Sequence, residues 1–368
     1  MKPKQKAIFF RHGSRPVPRA VRMMKVAEDL GYHSIFCGAF RENDISRKDS
    51  WDGFEIIRLG SRYPLLNGKG LLTYIKYTSI FCISLYRHFK KTKPTLLVAS
   101  DFEVMLPAII YSKMYNIKLI YNIHDNLAER YNLPSAIRSC LNIMEGLATL
   151  SSKSALVPET FRKESLPSWC QHKIHVVKNT PGDISYSPPP KYNQKVKLFY
   201  GGWLNWGRGI KELINIAESH PQISIRIAGS GADDIVSFIK KHKSVQYLGH
   251  ISHKQALEET RNAHFIPSFY DPSTIINRYA ASNKLAESMA IGRPLLINSE
   301  MKIIDSFKNS NSYLAYSYKN IGNIGLDLIK LMENEGQYLE MCKHSRKIFE
   351  DQYIWEDAKN KMVELIQK

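Results

Sequence analysis

The chain of 368 residues offers no disulfide framework. Its five cysteines, Cys37, Cys82, Cys140, Cys170 and Cys342, are odd in number and lie dozens of residues apart, with no C-x-x-C pair and no histidine at metal-ligand spacing. That excludes a disulfide-stapled secreted domain and a structural zinc site, and points to a reduced, cytoplasmic setting. Long apolar runs are missing too. The run from Ala7 to Phe10 is too short for the hydrophobic region of a signal peptide. The most apolar helical stretch, Leu71 to Phe89, contains Lys76 and Arg87, so it lacks the roughly 20 uninterrupted apolar residues of a membrane span. Acidic residues are scarce: 34 Asp and Glu against 52 Lys and Arg leave a net charge of +18. Residues 1–183 hold 28 of the basic and 15 of the acidic residues, so most of the positive field belongs to the first half. No internal repeat or low-complexity tract is present. The 43% of hydrophobic residues is enough for two cores and excludes disorder, collagen and coiled coil.

What is present is alternation. Short runs rich in Ile, Val, Leu and Phe alternate with helical stretches, the pattern of parallel strands joined by crossover helices. In the first half, strands are expected at 7–10, 34–37, 55–59, 95–100, 118–123, 155–158 and 174–178, with helices near 17–30, 71–91, 103–115 and 135–151. The second half repeats the scheme, with strands at 196–201, 224–229, 245–249, 264–268 and 294–298 and helices near 209–219, 232–242, 253–262 and 283–291. Between the halves, Asn179 to Lys191 holds four of the 17 prolines and a glycine, and reads as a semi-rigid connector. The expectation is an α/β protein of two doubly wound, Rossmann-like domains facing across a cleft at the carboxyl ends of their strands, where ligands bind in open α/β sheets.

Glycines mark that edge. Tyr200 to Lys211 follows a strand and opens a helix; Gly201, Gly202, Gly207 and Gly209 keep the turn free of side chains, while Arg208 and Lys211 bring cations to the helix start. Anionic phosphate suits such a strand-loop-helix element. Ala228-Gly229-Ser230-Gly231 and Leu248-Gly249-His250-Ile251 repeat the switch on the next two strands. Taken singly such glycines merely end strands; three in succession suggest a lined ligand edge. Farther on, Pro267 to Pro272 leads to a helix capped by Ser282 or Asn283, with Lys284 placed to pair with phosphate, Glu287 to accept from a ribose diol, and Gly292 to end the helix. In the first half, Gly13 follows the first strand and Pro18 starts the next helix, another place where backbone N–H groups can approach a phosphate.

The run Arg11-His12-Gly13-Ser14-Arg15 after that strand resembles the histidine phosphatase superfamily, with His124-Asp125 as its later acid pair. That resemblance implies a phosphohydrolase with His12 as the phosphorylated residue. It leaves the second doubly wound half without a role, and here Pro16 follows Arg15 without the usual spacer.

A second resemblance covers most of the chain. Asn283 to Leu295 fits N-K-L-x-E-x-M-A-x-G-x-P-[ILV] position by position; Gly202 to Gly209 fits a G-x-L-x(3)-[KR]-G phosphate loop; and Ala228 to Gly231 and Leu248 to Ile251 fit two further turns. With the tail Tyr353-Ile354-Trp355-Glu356, and more loosely Asp101-Phe102-Glu103, Ile123-His124-Asp125 and Val176-Val177-Lys178-Asn179, this resembles the family 4 glycosyltransferases of GT-B fold. The resemblance implies transfer of a sugar from a nucleotide-diphosphate donor, a UDP-sugar first and GDP-mannose next, to a hydroxyl of a glycan or lipid-linked acceptor. It implies bacterial surface polysaccharide synthesis as the setting, retention of anomeric configuration, and no metal or other cofactor. Charge on the leaving diphosphate would be met by cations and helix N-termini.

Carried over to this chain, the catalytic residues are Arg208, Lys284, His124 and Asp125, with His124 at the donor sugar or phosphate and Asp125 orienting it or the acceptor. Donor contacts fall on Gly13, Gly202, Trp203, Lys211, Ser230, Gly231, His250, Ile251, Tyr270, Asn283 and Glu287. Two positions depart from the family: Trp203 stands where relatives have Arg, and Tyr279 where they have the first of two paired glutamates. Lys284 or Lys211 is left to make up the missing cation, and Tyr270, Asp271 or Asn277 the missing carboxylate.

The expected domains are 1–184, binding the acceptor; 185–350, binding the nucleotide sugar; and 351–368, a helix crossing back to the first. Lys76, Arg87, Lys90, Lys91 and Lys93, on or after an apolar helix, are expected to hold the enzyme peripherally at the anionic inner face of the cell membrane. No nucleic-acid-binding motif is seen.

Overall fold

The computed structural model describes residues 5–63, 70–182, 184–308 and 310–368. The basic residues at 1–4, and Asp183 of the expected connector, lie outside the described residues. The chain divides into two compact units, Met1–Lys178 with Glu356–Lys368, and Asn179–Trp355.

Unit 1 is built on eight strands: β1 (Gln5–Arg11), β2 (Tyr32–Arg41), β3 (Lys48–Trp51), β4 (Phe54–Tyr63), β5 (Leu96–Ser100), β6 (Lys118–Asn122), β7 (Ser154–Val157) and β8 (Ile174–Val176). Their order is β3-β4-β2-β1-β5-β6-β7-β8. All neighbours are parallel except the β3–β4 hairpin. The central strands are apolar on both faces because helices cover both, so every residue of β5 is buried. Helices α1 (Pro18–Asp29), α2 (Leu71–Thr92), α3 (Met105–Tyr115) and α4 (Ser135–Ser151) supply the crossovers. Strand order reverses between β1 and β5, so the switch point of this sheet lies at Arg11, His12 and Asp101.

Unit 2 has β9 (Val196–Gly201), β10 (Ile223–Ala228) and β11 (Val245–Tyr247) in one parallel sheet, and β12 (Ile266–Ser268), β13 (Leu295–Asn298) and β14 (Tyr313–Tyr316) in another. A parallel bridge between Leu198 and Phe265 joins β9 to the segment entering β12. The composite order β11-β10-β9-β12-β13-β14 is that of a dinucleotide-binding sheet, and its switch point falls where β9 and β12 end. After α5 (Thr160–Glu164) of unit 1 come α6 (Ile210–Ser219), α7 (Asp233–Lys241), α8 (His253–Asn262), α9 (Ile275–Arg278) and α10 (Asn283–Ile291), of which α6 and α10 open at that edge. Among the described residues, no helix is long and apolar enough to cross a membrane.

The expected boundaries at 184/185 and 350/351 both fall inside unit 2. The second falls within a continuous helix, Glu335–Gln352, and the first is displaced by Arg293, a fully buried side chain in the second unit. Its Nη1 donates to the Ser187 carbonyl at 2.8 Å and its Nη2 to that of Pro188 at 2.9 Å, tying the proline-rich connector down as part of this unit. Arg346 Nη1 likewise donates to the Ile184 carbonyl at 3.0 Å.

Phe265 is fully buried in the unit 2 core at the point where the two sheets meet. Phe265→Ala is therefore expected to cost about 3–5 kcal/mol, measured by urea unfolding. A loss below 1 kcal/mol would show that the β9–β12 junction does not hold the sheet together.

Candidate functional site

At the end of β9 the chain enters the glycine loop, and close backbone approach explains its composition. Gly229 has φ +145°, and a Cβ there would stand 1.7 Å from the Gly202 carbonyl oxygen. Only glycine lets the two strand-ending loops lie this close. Gly209 has φ +70° and opens α6, which places Arg208 at the helix start. The loop is pinned at Asn205, whose side chain accepts from the Gly207 N–H at 2.9 Å.

Two cations converge at this edge, each over an aromatic face. Arg208 Cζ lies 3.9 Å from the centre of the Tyr270 ring, and Lys284 Nζ 4.0 Å from that of Tyr200. Arg208 Nη1 is buried and has no hydrogen-bond partner among the described residues. Lys284, on the first turn of α10, makes no ion pair among the described residues. Burial first, and the neighbouring Arg208 second, push the lysine down to about 7, against a smaller opposing effect from Glu287. Tyr200, Gly201, Gly202, Trp203, Arg208, Tyr270, Ser282 and Lys284 enclose a pocket of about 290 Å³. A second pocket of about 650 Å³ shares Gly201, Gly202, Trp203 and Lys284, and adds Ser230, His250, Ile251, His253 and Glu287 among others. Within it Glu287 Oε1 lies 3.0 Å from His253 Nε2, and Ser230 Oγ 3.4 Å from His250 Nδ1. A small cationic pocket continuous with a larger one carrying a carboxylate can take an elongated molecule with an anionic centre.

The expected donor residues thus divide. Gly202, Trp203, Ser230, His250, Ile251, Tyr270 and Glu287 line these pockets, with Arg208 and Lys284. Lys211, Gly231 and Asn283 line neither. Lys211 Nζ instead lies over the Trp206 ring, 4.9 Å from its centre, so it does not make up the missing cation. Gly231 packs its backbone against Leu204, and Asn283 serves as the first residue of α10. Asp271 and Asn277 brace the loop itself, the Asn277 amide donating to the Asp271 carbonyl at 2.8 Å. Tyr200 and His253 were not anticipated. Tyr200 was read only as a strand residue, yet β9 turns it under Lys284.

In unit 1, His124 follows β6. Asn122 Nδ2 lies 2.9 Å from its Nε2, and Arg19 Nη2 3.4 Å from its Nδ1. Burial, then Arg19, Arg11, Arg162 and Arg130, hold the ring well below the usual histidine range, so it is neutral at pH 7. Asp125 does not orient this ring. Its Oδ1 accepts from Arg162 Nη1 at 2.9 Å, and the same nitrogen donates to the His124 carbonyl at 2.7 Å, so Arg162 fixes the backbone of the pair. Gly13 lies in the loop before α1, and its carbonyl accepts from the Ala39 N–H at 3.3 Å.

His12 is packed into the interior rather than presented at the strand edge. It is buried among Tyr63, Tyr74 and Phe81, its Nε2 lies 3.2 Å from Thr78 Oγ1, and burial pushes it down to about 4. The nearby arginines are engaged within the protein: Arg11 and Arg130 both pair with Asp101, at 3.3 and 3.2 Å, Arg130 pairs with Glu103 as well, and Arg41 donates to the His12 carbonyl and lies over the Tyr63 ring. This geometry removes the support for the phosphatase reading.

No protein-family model matches the chain. A glycogen synthase of Mycobacterium tuberculosis is 19% identical over 284 residues, covering 72% of this chain and 66% of that protein, so the chain spans just under two thirds of that relative's length. Among solved structures, sucrose-phosphate synthase from Thermosynechococcus elongatus superposes with a TM-score of 0.79 at 13% identity, over 99% of this chain and 98% of that one. Alr3699/HepE from Anabaena, solved in complex with UDP and glucose, gives 0.71 at 11% identity, over 99% and 100%. The chain has the GT-B glycosyltransferase fold. Within that fold, the cationic pocket occupies the switch point of unit 2.

Lys284 makes stability depend on pH in a defined sense. With the folded value near 7 and the ordinary value about 10.4, the unfolded chain holds a proton across that window that the folded chain does not. Stability therefore rises with pH there. Lys284→Met removes this dependence, so its stability advantage over the wild type should be largest at and below pH 7 and shrink toward pH 10 in urea titrations. An advantage that does not change with pH would contradict the assignment.

Proposed function

We propose that the protein is a glycosyltransferase that moves a sugar from a nucleotide-diphosphate sugar to a hydroxyl of a glycan or lipid-linked acceptor. The observation that carries this reading is the pair of cations at the switch point, Arg208 with a buried unpartnered nitrogen and Lys284 near neutrality, beside a loop whose glycines admit close backbone approach. A diphosphate fits that chemistry. Its negative oxygens supply the counter-charge that no carboxylate of this pocket supplies, and binding raises the affinity of Lys284 for its proton.

A UDP-sugar is the favoured donor, supported by the UDP complex of the structural neighbour, with GDP-mannose next. As the glycosidic bond to the diphosphate breaks, charge grows on the departing oxygen, and Arg208 and protonated Lys284 stabilise it in place of a metal. With retention, the acceptor hydroxyl attacks from the face the diphosphate leaves, and its proton passes to the departing phosphate oxygen. Glu287 accepts hydrogen bonds from the ribose diol. The neutral ring of His124 is unit 1's proposed hydrogen-bonding group for a sugar hydroxyl, and Arg162 keeps it in place. Synthesis of a bacterial surface polysaccharide, in the cytoplasm at the inner face of the cell membrane, is the setting.

A thermal-shift panel of nucleotide sugars tests this directly, because saturation at about 100 times Kd stabilises the fold by about 2.7 kcal/mol. A UDP-sugar is expected to raise Tm, and a shift by GDP-mannose alone would reassign the nucleotide. Arg208→Ala should weaken donor binding by about 2–5 kcal/mol and, like Glu287→Ala, abolish transfer without lowering the unliganded Tm. His12→Ala should leave donor binding unchanged. No shift with any nucleotide sugar, or wild-type turnover in Arg208→Ala, would contradict the proposal.

A further inference from the structure

Helices α2, α3 and α4 cover one side of the unit 1 sheet, with α3 touching both of the others. Their inner faces, through Phe81, Phe89, Met105, Tyr111 and Ala148, join the core. Their outer faces are apolar as well: Ile83 on α2, Leu106, Ile110 and Met114 on α3, and Ile143 and Leu147 on α4 are each between 42% and 68% exposed. Single exposed apolar residues are ordinary, but three adjoining helices that present them together form a patch that calls for a partner. Between α2 and α3 the patch deepens into a groove of about 470 Å³, floored by Cys82, Ile83, Tyr86, Leu106, Pro107 and Ile110 and lined also by Arg87 and Lys90.

The charge on these helices has one sign. Neither α2 nor α3 contains an Asp or Glu, and the one carboxylate of α4, Glu145, is fully buried and accepts from the Tyr121 hydroxyl. Lys76, Arg87, Lys90, Lys91 and Lys113 lie on α2 and α3, and among the described residues none of them pairs with a carboxylate. A second copy docked by two-fold symmetry would set this positive charge against itself. An anionic bilayer offers hydrocarbon and phosphate at adjoining depths, which matches an apolar face carrying cations and no exposed carboxylate.

We propose that the outer face of α2, α3 and α4 docks on an anionic phospholipid bilayer, with a lipid acyl chain in the α2–α3 groove and its phosphate on Arg87 and Lys90. Charge along one helix was expected from sequence; the apolar faces of α3 and α4 and the groove are what the structure adds. The proposal deepens the membrane setting of the proposed function and is independent of the donor reading, because it concerns unit 1 alone.

Co-sedimentation of the full chain with phosphatidylcholine vesicles, with and without phosphatidylglycerol, tests it. Binding is expected only with phosphatidylglycerol, and should weaken with salt. Arg87→Gln with Lys90→Gln should weaken it by about 25-fold. Leu106→Ser with Ile110→Ser should weaken it by about tenfold or more. Both double variants should keep the wild-type Tm and the wild-type shift with nucleotide sugar. Equal binding to vesicles without phosphatidylglycerol, or unchanged binding in either double variant, would overturn the proposal. So would a lipid-free dimer that the serine substitutions dissociate, which would assign the face to a second copy.

Discussion

A cation drawn partly out of water without a counter-ion costs hydration free energy, and unit 2 holds two half-buried ones side by side. Arg208 and Lys284 rest on the faces of Tyr270 and Tyr200, an attraction that offsets only part of the loss of hydration. Loss of hydration first, and the closeness of Arg208 second, depress the lysine. Much of the surrounding construction serves to bring them together. The left-handed Gly209 starts α6 behind Arg208, the approach of Gly229 to Gly202 draws the strand ends into one edge, and the first turn of α10 delivers Lys284 to the same place. Structural packing alone gives no reason to assemble such a pair, whereas a dianionic ligand does.

Much of this was legible in the sequence because parallel sheets covered on both faces leave unmistakable apolar runs. Each expected strand and helix of the two sheets is found at its place, with ends moved by a few residues. The exceptions have physical causes. β3 is an edge strand whose four residues are all exposed, so no alternation betrays it, and only the Asp52-Gly53 turn, with positive φ at both residues, marks the hairpin. β14 is a short edge strand set among serines and asparagines. The connector reads as a hinge from its prolines, but its carbonyls are held by Arg293 from more than a hundred positions away, a contact without a local signature.

At the site, local motifs located the glycines, Arg208, Lys284 and Glu287, because each lies at a strand end or a helix start. They failed where a role depends on a distant partner. Lys211 looked like a phosphate cation until the Trp206 ring took it, and Asp125 looked like a partner for His124 until Arg162 took it. Tyr200 was overlooked because the alternation of a strand says which face a residue is on, not what lies above it. In unit 1 the same separation applies to charge. At the switch point Arg11, Arg130 and Arg162 are paired with Asp101, Glu103 and Asp125, whereas Arg19 and Arg41 bond to backbone carbonyls, and among the described residues the lysines of α2 and α3 pair with no carboxylate.

The central claim is that the cations of unit 2 are held for a diphosphate, and Lys284 makes the claim measurable. Because burial and Arg208 push this lysine down to about 7, a dianionic ligand must draw a proton onto it as it binds at higher pH. Calorimetry of UDP-sugar binding at pH 8, repeated in buffers of different ionisation enthalpy, reads that proton directly. Uptake approaching one proton in the wild type, and none in Lys284→Met, is the predicted result. Binding without proton uptake, or the same uptake in both proteins, would contradict the account.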